Sequence, residues 1–419
     1  MNSATLTPMP WAPAADDFLA RCFPALAAAP PRRAVLVVPD SSLYLLFRTL
    51  RIFCKAGVAV DLLCPRHHPI KFSRYVRHTC EAEDWRDVET KFARLLRSPQ
   101  RPWCRTLVAH EPTVRRLLQT LDAETLAAWQ PGISAPGVRE FYEGKFGLPA
   151  AQARWGLPIP PSRVCRDAAE VRELAEDAGW PVVVKPADHM GGLGVQKFDD
   201  AAQLAAGRDL HFPLLAQKFI EGPRVVLDLF CSGGKLLAWL ASYSSVQAKG
   251  PFSYSTGRHF RAMPALRPLA ELVARESRYE GFCGVDCVEE AGTGRIYVIE
   301  FNPRATAGWR FGRDCGVDFA PAVAAWAGGA TLAAPLTPPP GCDVPAHYFP
   351  TDLYRCFRRH DWRGLQNWLP GANSRHDICW DDPVVFMIAS ARRLRKRLQN
   401  LATFSPPAPL TPWPLTPRP

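Results

Sequence analysis

The sequence predicts a mixed α/β protein, because two kinds of local pattern recur in it. Apolar runs that favour strands alternate with a helical pattern near the start, at residues 33–38, 41–56 and 58–63. Further on, two β-prone runs within residues 283–301 flank a glycine-containing turn. Alternating strands and helices are typical of a parallel sheet, whereas a short turn between strands indicates an antiparallel hairpin. The predicted fold class is therefore α/β, and α+β overall.

The early strands position the first candidate residues. A further apolar strand is predicted at residues 105–109, and His110 and Glu111 follow it directly. Ligands of parallel sheets gather at the carboxyl ends of the strands. These two residues are therefore candidates for a substrate contact, and a structural helix cap is an equally good interpretation.

The next informative element is a lysine that precedes a glycine-rich loop. A short apolar strand at residues 181–184 delivers Lys185, and Gly191, Gly192 and Gly194 follow. Glycine lets backbone N–H groups approach phosphate oxygens, and lysine supplies a point charge. The spacing matches neither the Walker A pattern nor the strand–GxGxxG–helix fingerprint, which disfavours those nucleotide folds. Glycines at this density also form plain turns, so the loop alone is weak evidence for phosphate binding.

The predicted hairpin carries a cluster of oxygen-bearing side chains. Strand side chains alternate between faces, so Glu300 and Asn302 project to the same side. With a five-residue turn, Asp286 lies directly opposite Glu300. Carboxylate and amide oxygens are typical magnesium ligands, and Arg304 follows as a cation beside them. The alternative is an ordinary surface hairpin with solvated carboxylates.

In this order, the lysine loop and the hairpin resemble the ATP-grasp superfamily, which includes carbamoyl-phosphate synthetase, biotin carboxylase and D-alanine–D-alanine ligase. The resemblance implies that Asp286, Glu300 and Asn302 bind two magnesium ions, which Mn²⁺ can replace, between the β- and γ-phosphates of ATP. It also implies catalytic roles for Arg304, at the reacting group, and for Lys185, at the triphosphate. The glycine-rich loop would cover that triphosphate. The resemblance spans roughly residues 35–330.

The same resemblance implies further nucleotide contacts. Lys145 matches the first nucleotide-contacting lysine of the family. The segment Gln217, Lys218, Phe219 and Ile220 matches the strand-to-linker segment that holds adenine, through the side chain of Gln217 and the backbone of Lys218 and Ile220.

A polar run at residues 242–258 has the composition of a mobile loop. In related enzymes the corresponding loop closes near the phosphates, so Lys249 and Arg258 are candidates for phosphate or acceptor contacts. A solvated surface loop is at least as good an interpretation. Arg310 and Arg313, after Arg304, would suit an anionic substrate or a structural salt bridge.

Composition limits the class of partner. The formal net charge is +11, but basic residues are dispersed, and no zinc-finger or RNA-recognition pattern is present, so nucleic acid is not an expected partner. The 13 cysteines are scattered without a Cys-x-x-Cys pair, which favours free thiols in a reducing cytosol. No signal peptide or membrane span is expected, so the predicted localisation is cytoplasmic.

The patterns divide the chain into five predicted regions: a flexible lead-in (1–30), a Rossmann-like N-terminal lobe (31–132), an ATP-grasp domain whose two subdomains grip ATP (133–335), a C-terminal extension with a basic helix (336–402) and a Pro-rich disordered tail (403–419). The basic helix, predicted at residues 384–401, has two interpretations. It is either a weak peripheral contact to an anionic membrane or acidic partner, or a terminal helix packed on the body with its basic end solvated. The second is favoured.

The resemblance implies an ATP- and Mg²⁺-dependent ligase. A small-molecule carboxylate would form an acyl phosphate, and an amine, a thiol or another nucleophile would displace phosphate. A kinase that uses the same ATP site and a non-catalytic scaffold at the membrane surface are the alternatives. A homodimer is left open.

Overall fold

The structure is a computed structural model, and it describes residues 15–23, 34–39, 49–99, 101–130, 133, 138–187, 191–207 and 209–402. Most of the predicted lead-in and all of the predicted tail (403–419) lie outside these residues.

A parallel sheet organises the N-terminal lobe. Its strands are β1 (Ala34–Val38), β2 (Ala59–Pro65), β3 (Val76–Ala82) and β4 (Arg105–Val108), in the order β3-β2-β1-β4. The accompanying helices are α1 (Ala15–Cys22), α2 (Leu50–Lys55), α3 (Trp85–Arg97), α4 (Glu111–Thr120) and α5 (Ala123–Trp129). The predicted parallel α/β lobe is confirmed.

A smaller antiparallel sheet follows. The helices α6 (Val138–Tyr142), α7 (Leu148–Trp155), α8 (Ala168–Ala178) and α9 (Ala201–Ala206) accompany the strands β5 (Ser162–Cys165), β6 (Val182–Pro186), β7 (Gln196–Phe198) and β8 (Leu214–Lys218). The strand order is β5-β8-β6-β7. Asp167 and Asp200 fix the starts of α8 and α9, since each side chain accepts a hydrogen bond from a backbone N–H in the first turn.

The largest sheet spans the second half of the chain. Its strands are β9 (Arg224–Ser232), β10 (Lys235–Gln247), β11 (Ser255–Arg261), β12 (Gly281–Glu289), β13 (Ile296–Asn302), β14 (Asp343–His347) and β15 (Arg375–His376). The order is β13-β12-β9-β10-β11-β14-β15. The remaining helices are α10 (Arg267–Ser277), α11 (Ala320–Ala327), α12 (Thr351–Arg359), α13 (Trp362–Gln366) and α14 (Pro383–Ala402).

The two faces of this largest sheet differ. One face buries aliphatic side chains such as Leu227 and Val285 in a core shared with α6, α7 and α10. The other face is aromatic at one end, where Phe230 and Phe282 pack against Trp326 of α11 and against each other. Its opposite end is polar and carries the metal candidates; we call this end the polar face.

The prediction of a loop at residues 242–258 is wrong for most of that segment. β10 continues to Gln247 and β11 begins at Ser255, so only residues 248–254 connect them. The polar composition arises because alternate residues face the interior: Ser242 and Arg258 are both buried. Tertiary packing on β9 and β14 thus overrides a composition that is typical of loops.

The C-terminal extension completes the largest sheet. β14 pairs antiparallel with β11, and β15 pairs parallel with β14. The predicted basic helix is confirmed as α14, whose first half buries Val385 and Ala389. Just before it, Asp382 accepts a hydrogen bond from Ser73 of the N-terminal lobe.

The basic half of α14 also touches the lobe, since Arg392 donates to the carbonyl of His67 at 3.1 Å. Among the residues that the structure describes, no contact of α14 favours the interpretation that it binds a membrane. None of the helices that the structure describes is long and apolar enough to cross a bilayer.

Candidate functional site

Two carboxylates and an amide come together on the hairpin of β12 and β13. Asp286 lies opposite Glu300 in the ladder, and Asn302 follows on the same face. This pairing confirms the expected register, but the expected five-residue turn is wrong. Residues 290–295 connect the strands, and Ile299 is an extra residue that bulges from β13. The bulge shifts the register by one residue and so restores the pairing that a five-residue turn would give.

Two buried lysines face this cluster. The ammonium of Lys145, in the connection between α6 and α7, lies 3.0 Å from the carboxylate of Glu300. Lys185, at the end of β6, donates to the side-chain oxygen of Gln217 at 2.7 Å and to the carbonyl of Ile299 at 3.4 Å. The smaller and larger sheets therefore meet through charged groups at this point.

The environment of Lys185 disfavours its charge. Burial lowers the pKa of Lys185 to about 8; Glu300 and Asp286 oppose this shift, and Lys145 and Arg224 add to it. An additional anion beside Lys185 would therefore stabilise the protonated form.

Magnesium fits the donor set of the hairpin. Asp286, Glu300 and Asn302 offer only hard oxygen donors on one face, the type of ligand that magnesium takes. Two of these donors are compensated locally: Glu300 by Lys145, and the side-chain oxygen of Asn302 by Arg304, whose Nη2 donates to it at 3.0 Å. Within the described ranges no group of three His, Cys, Asp or Glu side chains is placed to hold a metal. A magnesium ion here would therefore need amide, phosphate or water oxygens as well.

Gln217 is engaged with neighbouring side chains. Its amide oxygen accepts from Lys185, and its Nε2 donates to the hydroxyl of Ser162 at 2.8 Å. In this arrangement Gln217 orients Lys185, and its predicted contact with adenine stays a prediction.

The backbone after Gln217 is only partly satisfied. The N–H groups of Lys218 and Phe219 donate to the carbonyls of Pro161 and Pro181, at 2.8 and 3.0 Å. The N–H of Ile220 has no acceptor among the residues that the structure describes. The N–H of Ile220 is thus a candidate donor, and its predicted contact with adenine stays a prediction.

The glycine-rich loop is shaped by a close neighbour. Gly191, Gly192 and Gly194 all have positive φ, at 66°, 79° and 71°. A Cβ atom on Gly192 would lie 1.6 Å from the carbonyl oxygen of Phe252, which belongs to the 248–254 connection. The two loops therefore pack backbone to backbone.

Arg304 links the hairpin to the N-terminal lobe. Its Nε donates to Glu111 at 3.2 Å. Glu111 also accepts from Arg115 at 2.9 Å, and Arg115 donates to the carbonyl of Ala187 at 2.6 Å, near the start of the glycine-rich loop. Burial would raise the pKa of Glu111, but Arg304 and Arg115 hold it below its ordinary value. A continuous charged bridge therefore joins the lobe, the hairpin and the loop.

Replacing Glu111 with glutamine is expected to lower the free energy of unfolding by about 3 kcal/mol, because both arginines would lose a buried anion. Chemical denaturation measures the change. Glu124→Gln is the control, since Glu124 is exposed on α5 of the same lobe. Equal free energies of unfolding of the two variants would show that the charged bridge does not contribute to stability.

The other predicted basic residues lie in different surroundings. Lys249 is exposed in the 248–254 connection, where its N–H donates to Ser253 and its carbonyl accepts from Arg359. Arg258 was predicted to lie in a loop, but it lies in β11, where it donates to Asp228 at 3.0 Å. The structure therefore does not place the Lys249 ammonium at the metal candidates, and its phosphate contact stays a prediction.

Two further pairs involve Asp228 and Arg310, and for Arg310 a structural salt bridge was one of the two interpretations that the sequence allowed. Asp228 also accepts from Thr306, which follows the hairpin, so it joins β11 to that segment. Arg310 forms an ion pair with Asp377 of the C-terminal extension. Both pairs join residues that are distant in sequence, so local sequence did not indicate which residues would be the partners.

The fold and the site together combine three parts. A small antiparallel sheet supplies Lys185, a larger one supplies the facing carboxylates, and a parallel lobe precedes both. Residues 149–308 match the family model described as ATP-grasp domain. This segment of the chain is therefore similar to an ATP-grasp domain.

Curated relatives share part of this chain. It is 30% identical over 218 residues to the carbamoyl phosphate synthase large chain of Beutenbergia cavernae, covering 48% of this chain and 19% of that one. The corresponding protein of Thermus thermophilus is 28% identical over 252 residues, covering 54% and 24%. The chain thus spans no more than about a quarter of the length of these relatives.

Solved structures support the fold. The biotin carboxylase domain of 2-oxoglutarate carboxylase from Hydrogenobacter thermophilus, in complex with MgADP, ADP and bicarbonate, has a TM-score of 0.53 at 16% identity, covering 73% of this chain and 71% of that one. The L-amino acid ligase of Bacillus licheniformis has a TM-score of 0.51 at 17% identity, covering 71% and 75%. N5-carboxyaminoimidazole synthetase from Staphylococcus aureus, complexed with ADP, has a TM-score of 0.54 at 12% identity, covering 74% and 81%.

Proposed function

We propose that this protein is an ADP-forming ligase that joins a small-molecule carboxylate to an amine at the expense of ATP. The observation that carries the proposal is the hairpin on which Asp286 faces Glu300, with Lys145, Lys185 and Arg304 around them. Binding of a triphosphate requires cations and metal-binding oxygens close together. A hairpin with a purely structural role requires neither.

The residues have distinct roles in the proposed reaction. Lys145 and Lys185 neutralise phosphate charge, and the backbone of Ile220 and the glycine-rich loop hold adenine and triphosphate. Asp286, Glu300 and Asn302 would hold magnesium, which would supply further positive charge to the phosphates. We propose two ions, with Mn²⁺ as a substitute.

The bond changes need no side-chain nucleophile. An oxygen of the substrate carboxylate attacks the γ-phosphorus, and the bond to ADP breaks, which leaves an acyl phosphate and ADP. The amine then attacks the acyl carbon, phosphate leaves, and the amine proton passes to solvent. Arg304 would stabilise the charge that develops on the transferring group. For that it must share its guanidinium between Glu111 and the substrate.

The proposal is tested by ATP turnover with Mg²⁺ in the presence of pooled carboxylates and pooled amines. Release of ADP and phosphate that requires both pools supports the ligase. ADP formation with one pool and a phosphorylated product supports the kinase instead. No ADP in any combination, with no ATP binding, would leave the scaffold as the better interpretation. A homodimer stays a prediction that light scattering decides.

ATP binding is expected to weaken as the pH rises above about 8, the pKa of Lys185 in the free protein. A bound triphosphate would raise this pKa. At a pH below the pKa of Lys185 in the free protein and in the ATP-bound protein, Lys185 is charged in both states. It then adds no pH dependence to ATP binding. Between the two pKa values, binding must take up a proton, so the Kd for ATP increases with pH.

Calorimetry in buffers of different ionisation enthalpy measures this proton uptake. The variant Lys185→Met, which has no titrating group at this position, should bind ATP more weakly and without that proton uptake. The same uptake in the wild type and in the variant would exclude Lys185 as its source.

A further inference from the structure

Three buried polar atoms on or beside the polar face have no hydrogen-bond partner among the described residues: Ser242 Oγ, Arg258 Nε and Tyr348 OH. The residues are 0%, 8% and 6% exposed. Buried polar groups are nearly always hydrogen-bonded, so a cluster of unpaired ones calls for an explanation. Tyr348 comes from the C-terminal extension, whereas the other two belong to the ATP-grasp domain.

The strand register brings these groups to the metal candidates. Ser242 lies opposite Val226 of β9, and Val226 lies opposite Asp286 of β12, so Ser242 and Asp286 share one row of the sheet. Arg258 lies on the same face, one row away, opposite Ser244. The polar side chains at the metal candidates therefore continue across the same face of the sheet to Ser242 and Arg258.

Tyr348 closes the far side of the cluster. Its N–H donates to the carbonyl of Thr256 at 2.9 Å, which extends the pairing of β14 with β11 to the position beside Arg258. The guanidinium of Arg310 lies 5.2 Å from the centre of the Tyr348 ring, and Arg310 is itself paired with Asp377. The backbone of Tyr348 is thus fixed by β11, and its ring lies near a cation that is itself held in an ion pair.

The protonation states of these groups make them hydrogen-bond donors. Burial raises the pKa of Tyr348 to about 12, although Arg258 and Arg310 oppose the shift, so the hydroxyl is a proton donor at neutral pH. Burial opposes the charge on Arg258, but Tyr348, Asp228 and Asp286 hold its pKa above the ordinary value. Arg258 Nε can only donate, and the hydroxyls of Ser242 and Tyr348 are able to donate, so the matching ligand accepts hydrogen bonds.

We propose that Ser242, Arg258 and Tyr348 form the subsite for an oxyanion of the acid substrate. The inference rests on the proposed function for the identity of that substrate as the acid that is activated beside the hairpin. The oxyanion is a carboxylate or a phosphate carried by the acid. Tyr348 makes the C-terminal extension part of the specificity of the site.

The test is binding of small anions to the full chain without ATP. Thermal shift and tryptophan fluorescence would be followed with malonate, succinate, citrate and inorganic phosphate, and with malonamide as the uncharged probe. At least one anion should bind the wild type, and malonamide should not. Tyr348→Phe and Ser242→Ala should each weaken that binding about tenfold or more, as expected for a lost hydrogen bond to a charged group.

Ser98→Ala is the matched control, because Ser98 carries a buried unpaired hydroxyl directly after α3 in the N-terminal lobe. It should bind the anion like the wild type. A carboxylate response assigns the oxyanion as a carboxylate, and a response to phosphate alone assigns it as a phosphate. No response to any anion, or equal binding by Ser242→Ala and the wild type, would overturn the subsite. Absence of turnover with intact anion binding would reject the ligase and not the subsite.

Discussion

Replacing Glu300 with glutamine is expected to reduce Mg²⁺-dependent ADP release by about 10²- to 10³-fold, the range seen when one preorganised electrostatic group is removed from an active site. Glutamine preserves the shape of the side chain but removes the charge that faces Asp286 and compensates Lys145 at 3.0 Å. A coupled assay of ADP release, with the substrate pools that support turnover, measures the loss.

Glu289→Gln is the control for this variant. Glu289 ends β12 of the same hairpin, and its carboxylate accepts from the hydroxyl of Tyr243 at 2.7 Å, away from the metal candidates. It should retain near-normal turnover. Normal turnover by the Glu300 variant would refute the metal assignment, and equal losses in both would indicate general damage to the hairpin.

Replacing Gly192 with alanine is expected to weaken ATP binding about tenfold or more. The added Cβ would overlap the carbonyl oxygen of Phe252, and φ of 79° is unfavourable for alanine. Strain of this kind is typically about 1–3 kcal/mol, and tenfold in Kd corresponds to about 1.4 kcal/mol. The loop must move away from residues 248–254 to relieve the overlap, and its predicted phosphate contacts move with it. Titration with ATP and Mg²⁺ measures the effect.

Gly292→Ala separates the backbone strain from the overlap. Gly292 also has a positive φ, of 84°, but no atom lies within 4 Å of the position of its Cβ. It sits in the turn of the hairpin, so this variant should bind ATP normally. If both variants bind ATP like the wild type, the packing of the two loops has no part in nucleotide binding.

Local sequence was sufficient to predict the hairpin and the lysine strand. Both depend on short-range rules: alternation along a strand, and glycine where a turn needs it. The pairing of Asp286 with Glu300 was also predicted, although by a different turn. The bulge at Ile299 was not predictable, because it depends on how β13 fits against β12 and Lys185, which lie elsewhere in the chain.

Contacts between distant segments account for the other differences. The polar run that contains Ser242 and Arg258 has the composition of a loop, and it forms strands because β9 and β14 pair with it on either side. Glu111 was a candidate for substrate contact or for a cap, and the structure places it against Arg304. The chemical roles of the predicted site residues stay predictions until the variants are measured.

The contact between Ser73 and Asp382 joins positions 309 residues apart. Together with the pairing of β11 and β14, it makes the order of synthesis important. The N-terminal lobe and the first strands of the largest sheet emerge from the ribosome well before the residues that complete them. Folding rates fall as contacts become less local, and incomplete sheets are prone to aggregate. During translation, β11 would therefore remain an unpaired sheet edge until residue 347 has been made. Protection of this edge by a chaperone against aggregation would matter most in that period.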